Sequence, residues 1–324
     1  MNNHINSNNQ TNNTVGSTHT RNSNSPVSEE KLDLRASITA AIIRLIEEGA
    51  AQGEKGLWNH AIKFGMPINY KTKASYSGVN VPLLWCAAAD RGLERNEWLT
   101  FKQAQELGAN VKRGSKGVMC VFFKMLPKKD TNTENQGDNE GVASFLPMMK
   151  PFWVFNVVDI ENLPEVTATS PSFEPVAQAE HILAASGAAI TWEGTRAFYR
   201  PSTDEIYMPN RERFAKPVNA YAVALHELTH WTGHKDRLDR SFSARFGNDA
   251  YAFEELVAEL GSAFLVAHLG LEGACLENHA SYVESWLKVL KNDKNAIFTA
   301  SRQANAAYQF IMQKAGLSAQ VEVD

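Results

Sequence analysis

Tyr221-Ala222-Val223-Ala224-Leu225-His226-Glu227-Leu228-Thr229-His230 is the stretch on which the reading of this chain turns. Its apolar run predicts a buried helix, with Asn219 as N-cap after Pro217 and Gly233 as the stop. His226 and His230 stand at i and i+4, so they share one helix face and can reach one ion. Neutral nitrogen ligands leave zinc a strong Lewis acid, and Glu227 beside the first ring could take a proton from water. The bland alternative is a pair of core histidines satisfied by hydrogen bonds. Burying two imidazoles and an acid on so apolar a helix would be costly without a further purpose, which favours the metal.

Catalytic zinc takes three protein ligands and leaves one position open. Asp236, six residues after His230, is one candidate for the third. The others lie in a second apolar helix, where Glu254, Glu255 and Glu259 sit among Phe253, Leu256, Val257, Leu260 and Phe264. Glu255 is the preferred ligand, with Asp236 and Glu259 as alternatives. His234 is expected to cap the end of the metal helix, where a partly positive ring suits the dipole. Tyr282 is either a core tyrosine or an aid to oxyanion binding. The strand Ile206-Tyr207-Met208 is expected to offer an edge to an extended substrate.

The 324 residues suffice for two domains. Three scattered cysteines (Cys86, Cys120 and Cys275) lack ligand spacing and suggest free thiols in a reducing cytoplasm. No secretory leader or membrane-spanning run is evident. The net charge of −4 hides a segregation. Lys55 to Lys129 holds thirteen Lys and Arg against four Asp and Glu, a balance of +9, whereas Val166 to the C-terminus holds fourteen against nineteen, a balance of −5. Such asymmetry points to an anionic partner for the first half.

Residues 1–30 form an Asn/Ser/Thr-rich tail, expected to be disordered. Periodicity predicts a helix over Leu32–Glu48, another over Pro82–Asp90 and a third starting at Thr100. Val118–Met125 and Pro151–Val158 are expected to pair as strands across the polar loop Lys128–Glu140. The segment 166–175 is the predicted linker between domains at 31–165 and 176–324. Beyond it, helices over Ala177–Ser186, Tyr251–Leu269, 279–291 and 296–315 accompany strands at Ala197–Tyr199 and Ile206–Met208. The fold class is α+β.

The first half holds aromatic side chains interleaved with basic and amide groups: Trp58, Tyr70, Tyr76, Asn80, Trp85, Trp98, Phe101, Lys102, Gln103, Lys112, Arg113 and Lys116. Single-stranded nucleic acid is held by this combination, bases stacking on rings while cations follow the phosphates. Tyr76, Asn80, Trp98, Phe101, Lys102, Gln103, Lys112, Arg113 and Lys116 are the candidate DNA contacts. Any one ring taken alone would more simply be core.

The segments Asn69-Tyr70-Lys71-Thr72, Tyr76-Ser77-Gly78-Val79-Asn80 and Trp98-Leu99-Thr100-Phe101-Lys102-Gln103-Ala104 resemble the N-terminal domain of plasmid-encoded ArdC antirestriction proteins, shared with TraC-type primases. Ala224 to His234, Phe253 to Leu260 and the region of Tyr282 and Trp286 are similar to the same family. The resemblance covers about residues 31–315. It implies a domain that binds single-stranded DNA followed by a zincin-like metallopeptidase domain, acting to shield incoming conjugative DNA from restriction. His226, His230 and Glu255 would hold one zinc ion, with Glu227 as the catalytic acid. A host protein, such as a restriction-enzyme subunit, is a further expected partner; a membrane is not.

Overall fold

The computed structural model describes residues 33–51, 65–127, 145–164, 174–241, 249–274 and 282–317. The Asn-rich tail, Trp58, the loop Lys128–Glu140, most of the linker and Cys275 lie outside them.

The two β-rich runs of the first half form β4 (Val118–Pro127) and β5 (Phe145–Asn156), antiparallel with Val118 opposite Val154 and Pro127 opposite Phe145. Around this pair runs a four-stranded sheet in the order β1-β2-β5-β4. In it β1 (Ile68–Asn69) is parallel to β2 (Glu97–Thr100), and β2 is antiparallel to β5. A separate pair joins β3 (Asn110–Val111) to β6 (Ile160–Glu161). These short strands escape the sequence reading because two to four residues hold too little alternation to register.

Among the described residues, three helices serve this half: α1 (Leu34–Ala51), α2 (Asn80–Asp90) and α3 (Phe101–Glu106). Thr100 caps α3 through a reciprocal box. Its hydroxyl accepts from the Gln103 N–H at 3.2 Å, and the Gln103 side chain accepts from the Thr100 N–H at 2.9 Å.

The second half opens with α4 (Pro175–Ser186) and a three-stranded sheet in the order β7-β9-β8. Here β7 (Ala189–Gly194) is parallel and β8 (Phe198–Arg200) antiparallel to the central β9 (Glu205–Pro209). Helices α5 (Pro217–Trp231), α6 (Ala250–Leu269), α7 (Val283–Asn292) and α8 (Ala296–Lys314) follow. Among the described residues no helix is long and apolar enough to cross a membrane.

One hydrophobic core runs through both halves. Ile38, Ile42 and Ile46 of α1 and Trp85 of α2 share it with Phe264 of α6, Trp286 of α7 and Tyr308 of α8. Each isoleucine so buried stabilises the fold by about 1.5–3 kcal/mol. The Trp85 and Phe264 rings meet at 5.8 Å, and Phe123 of β4 packs edge-on against Phe298 at 6.2 Å. The Arg35 guanidinium lies over the Phe298 ring at 5.1 Å, and Thr39 donates to the Lys294 carbonyl at 2.8 Å.

Candidate metal centre

Pro217 occupies the first turn of α5, where its missing N–H is no loss. The helix therefore starts two residues before the expected cap. Asn219 is no N-cap but a buried residue of the first turn. From there the apolar face of α5 packs against α6, and one contact sets the spacing. A Cβ on Gly261 would lie 2.6 Å from Thr229 Cγ2, so the absent side chain lets α6 come close beside the motif. Ser262 reinforces the seam by donating to the Ala222 carbonyl at 3.1 Å.

This approach brings the three glutamates of α6 onto the two histidines, each in a different way. The Nε2 atoms of His226 and His230 face each other at 3.2 Å. Glu255 stands against both, Oε2 at 3.6 Å from His226 Nε2 and Oε1 at 3.6 Å from His230 Nε2. One ligand atom from each of the three lies within 4.8 Å of the others. Donors on a tetrahedral ion with bonds of about 2.0–2.1 Å would be about 3.3 Å apart, so this set fits a divalent cation.

The opposite ring edges are held by the other two acids. Glu254 meets His230 Nδ1 at 3.3 Å, and Glu259 lies 3.7 Å from His226 Nδ1. On His230, where the distance allows a hydrogen bond, the carboxylate on the outer nitrogen fixes which nitrogen is left for the ion. Glu254 is in turn gripped by Arg240, whose fully buried guanidinium donates to Glu254 Oε1 at 2.7 Å and to the Thr229 carbonyl at 2.6 Å. Asp236, the rival third ligand, is 73% exposed at its side chain and contacts His234 instead. His234 accepts the Asp236 N–H at 3.3 Å and lines the cleft.

Burial opposes charge on the His230 ring, but Glu254 and Glu255 outweigh it and hold the pKa up at about 10. Glu255 is held well below the usual carboxylate range, its burial overcome by His226 and His230. Without metal, His230 therefore carries its proton at neutral pH, and coordination through Nε2 requires the ring neutral. Metal uptake at pH 7.5 is expected to release about one proton from this ring, and affinity should fall as pH falls. Titration calorimetry in two buffers of different ionisation enthalpy measures this. Zero release would mean that the ring is already neutral.

The three donors and Glu227 form the floor of a cleft of about 1390 Å³. Phe198 and Tyr199 of β8 line it too, as do Tyr251 and Tyr282. The Tyr251 and Tyr282 hydroxyls are 3.1 Å apart; Tyr282 lines the cleft while its ring stacks on Trp286 against the core, so both expected settings meet in it. The sequence reading missed Tyr251. Ile206–Met208 belongs to β9, which is paired on both sides and offers no edge; the edge strand whose residues line the cleft is β8, alongside Pro209 at the end of β9.

The expected DNA contacts separate into two groups. Trp98 and Tyr76 are buried in a small core with Leu84 and Cys120, so their faces are covered. Trp98 donates to Asn96 Oδ1 at 2.7 Å. Asn80 stitches α2 to β4, donating to the Val121 carbonyl at 2.7 Å and accepting its N–H at 2.9 Å. Gln103 is taken up by the cap and by Asn69, which donates to it at 3.0 Å. By contrast Phe101, Lys102, Lys112, Arg113 and Lys116 are exposed. Trp153 of β5, absent from the candidates, is also exposed; strand alternation against the buried Val154 is the signal that could have found it.

Comparison with known proteins agrees with this architecture. Residues 32–155 match the family described as the N-terminal domain of anti-restriction factor ArdC, and residues 177–303 match the family of zincin-like metallopeptidases. A DNA primase TraC of Escherichia coli is 38% identical over 299 residues, which is 88% of this chain. The chain spans only 28% of the length of that primase. The uncharacterized protein y4eC of Sinorhizobium fredii (strain NBRC 101917 / NGR234) is 36% identical over 274 residues, covering 84% of this chain and 89% of the relative. Two crystal structures of the antirestriction ArdC protein from the R388 plasmid also match. The metal-free one has a TM-score of 0.72 at 37% identity, covering 88% of this chain and 98% of that one. The Mn(II)-bound one has 0.70 at 36% identity, covering 87% and 98%. With both domain families matched in order, and relatives matched along nearly their whole length, the chain belongs to the ArdC family of antirestriction proteins.

Proposed function

We propose that this chain binds single-stranded DNA through its first half, shields incoming conjugative DNA from restriction, and carries one zinc ion at a metallopeptidase-type site. The observation that carries the metal reading is the convergence of His226, His230 and Glu255 on the floor of an open cleft. Two imidazoles and a carboxylate suit zinc, and the related R388 protein has been crystallised with Mn(II). When bound, such an ion polarises a carbonyl and lowers the pKa of water. Glu227, lining the same cleft, is the group to accept a proton from the attacking water and return it to the leaving nitrogen. Tyr251 and Tyr282 present hydroxyls to the same space.

Glu227→Gln tests the peptidase role. Metal content should stay unchanged, while any hydrolysis falls by about 10²- to 10⁴-fold, the range for loss of a general base. Should protection against restriction survive that substitution undiminished, cutting of a protein partner is no part of the mechanism. A protein substrate, such as a host restriction subunit, is the alternative user of the cleft.

For the first half, the support is the matched ArdC N-terminal domain and the local charge of +9. Affinity for a short oligothymidine should fall as salt rises, by about 0.7 in log–log slope for each phosphate contacted. A flat salt response, or no binding at low salt, would remove DNA from the proposal.

A further inference from the structure

Phe101, Trp153 and Val158 are among the exposed large apolar side chains of the first half, and the first two lie on neighbouring segments. The strand register explains the closeness of the first two. Thr100 pairs with Val154; Phe101 follows Thr100 as the first residue of α3, and Trp153 precedes Val154, so both flank the same paired position. Both are 52% exposed. Their neighbour on the other side is Gly117, at the start of β4. A Cβ there would lie 3.3 Å from Trp153 Cβ and 3.1 Å from the Phe155 ring, so glycine leaves this aromatic face uncovered.

Cations stand at both ends of the face. Lys102, with 85% of its side chain exposed, follows Phe101. Arg113 and Lys116, in the turn that leads into Gly117, are exposed and make no ion pair among the described residues. An apolar surface bordered by the exposed Arg113 and Lys116, and by Lys102 with its surface ion pair to Glu106 at 3.8 Å, complements a polymer with planar faces and a charged backbone.

We infer that the Phe101–Trp153 face is the platform on which a single-stranded DNA stacks, with Lys102, Arg113 and Lys116 following its phosphates. The inference rests on the DNA-binding reading above and gives it a location. It moves the stacking role from the buried Trp98 and Tyr76 to two rings that a base can reach without opening the fold.

The test measures binding of a fluorescent oligothymidine to the full chain by anisotropy across a salt series. Wild-type binding is read first, because its absence defeats the DNA reading as a whole. Given binding, Trp153→Ala and Phe101→Ala should each weaken it by about 5- to 150-fold with the salt slope unchanged, as for a lost stacked base. Trp153→Phe should recover part of the affinity. Arg113→Ala with Lys116→Ala should instead reduce the log–log slope by about 1.4. Metal uptake at His226 and His230 serves as the check that each variant is folded. Wild-type affinity in both aromatic variants would overturn the location while leaving DNA binding itself intact.

Discussion

Replacing Glu255 by alanine is expected to weaken binding of zinc or manganese by more than ~100-fold, beyond the roughly 10- to 100-fold typical of losing an outer partner. The reason is geometric. Glu255 stands 3.6 Å from both Nε2 atoms, whereas Glu254 and Glu259 touch only the outer ring edges. Glu254→Gln and Glu259→Gln should therefore stay within the outer-partner range, by loosening ring orientation rather than removing a donor. Asp236→Ala should bind metal as the parent does, since that carboxylate points to solvent. Competition with a chromophoric chelator reads all four variants on one scale. A loss at Asp236 as large as that at Glu255 would refute the assignment.

Gly261→Val is expected to destabilise the protein by about 3 kcal/mol, the upper end for forcing extra atoms into a packed interior. The new Cβ would lie 2.6 Å from Thr229 Cγ2, closer than two carbons can stand. Either α6 retreats or Thr229 turns away from the Leu225 carbonyl, to which it donates at 2.8 Å. Retreat would carry Glu255 off the histidines, so metal affinity should fall together with stability. Thr229→Ala supplies the control. In the double variant the clash is relieved, and denaturant unfolding should show a coupling of about 0.5–3 kcal/mol. Strict additivity would mean that the two helices do not press on each other at this point.

Much of the candidate metal site's geometry was legible in the sequence because its first part is local. The i, i+4 spacing of His226 and His230 fixes their relation wherever a helix forms. Glu255 was the preferred third ligand, but Glu254, Glu255 and Glu259 all lie in one helix. Which of them meets the inner ring edges depends on how far α6 slides and turns along α5. That setting comes from Gly261 and Thr229, a contact between residues 32 positions apart that no periodicity reveals. Arg240 was invisible for the same reason, since its value lies in bridging Glu254 to the end of α5.

The aromatic residues of the first half were harder to read. Trp98 and Trp153 are both tryptophans in strands that pair with each other, yet one is buried and the other open. Composition gives them the same weight. Only the order β1-β2-β5-β4, and the small core beneath Trp98, decide which ring faces outward. The helices were read more readily, as at α6, which runs from Ala250 where Tyr251 was expected. A long apolar face repeats its message many times, whereas a two-residue strand states it once.

The interior that α1, α2, α6, α7 and α8 jointly fill bears on how such chains are inherited. A gene fragment encoding either part alone would expose Ile38, Trp85, Phe264 or Trp286 to water, and its product would be prone to clump. In the TraC primase, 88% of this chain is matched within 28% of the longer protein, so the sequence that forms this shared interior is matched there as one block.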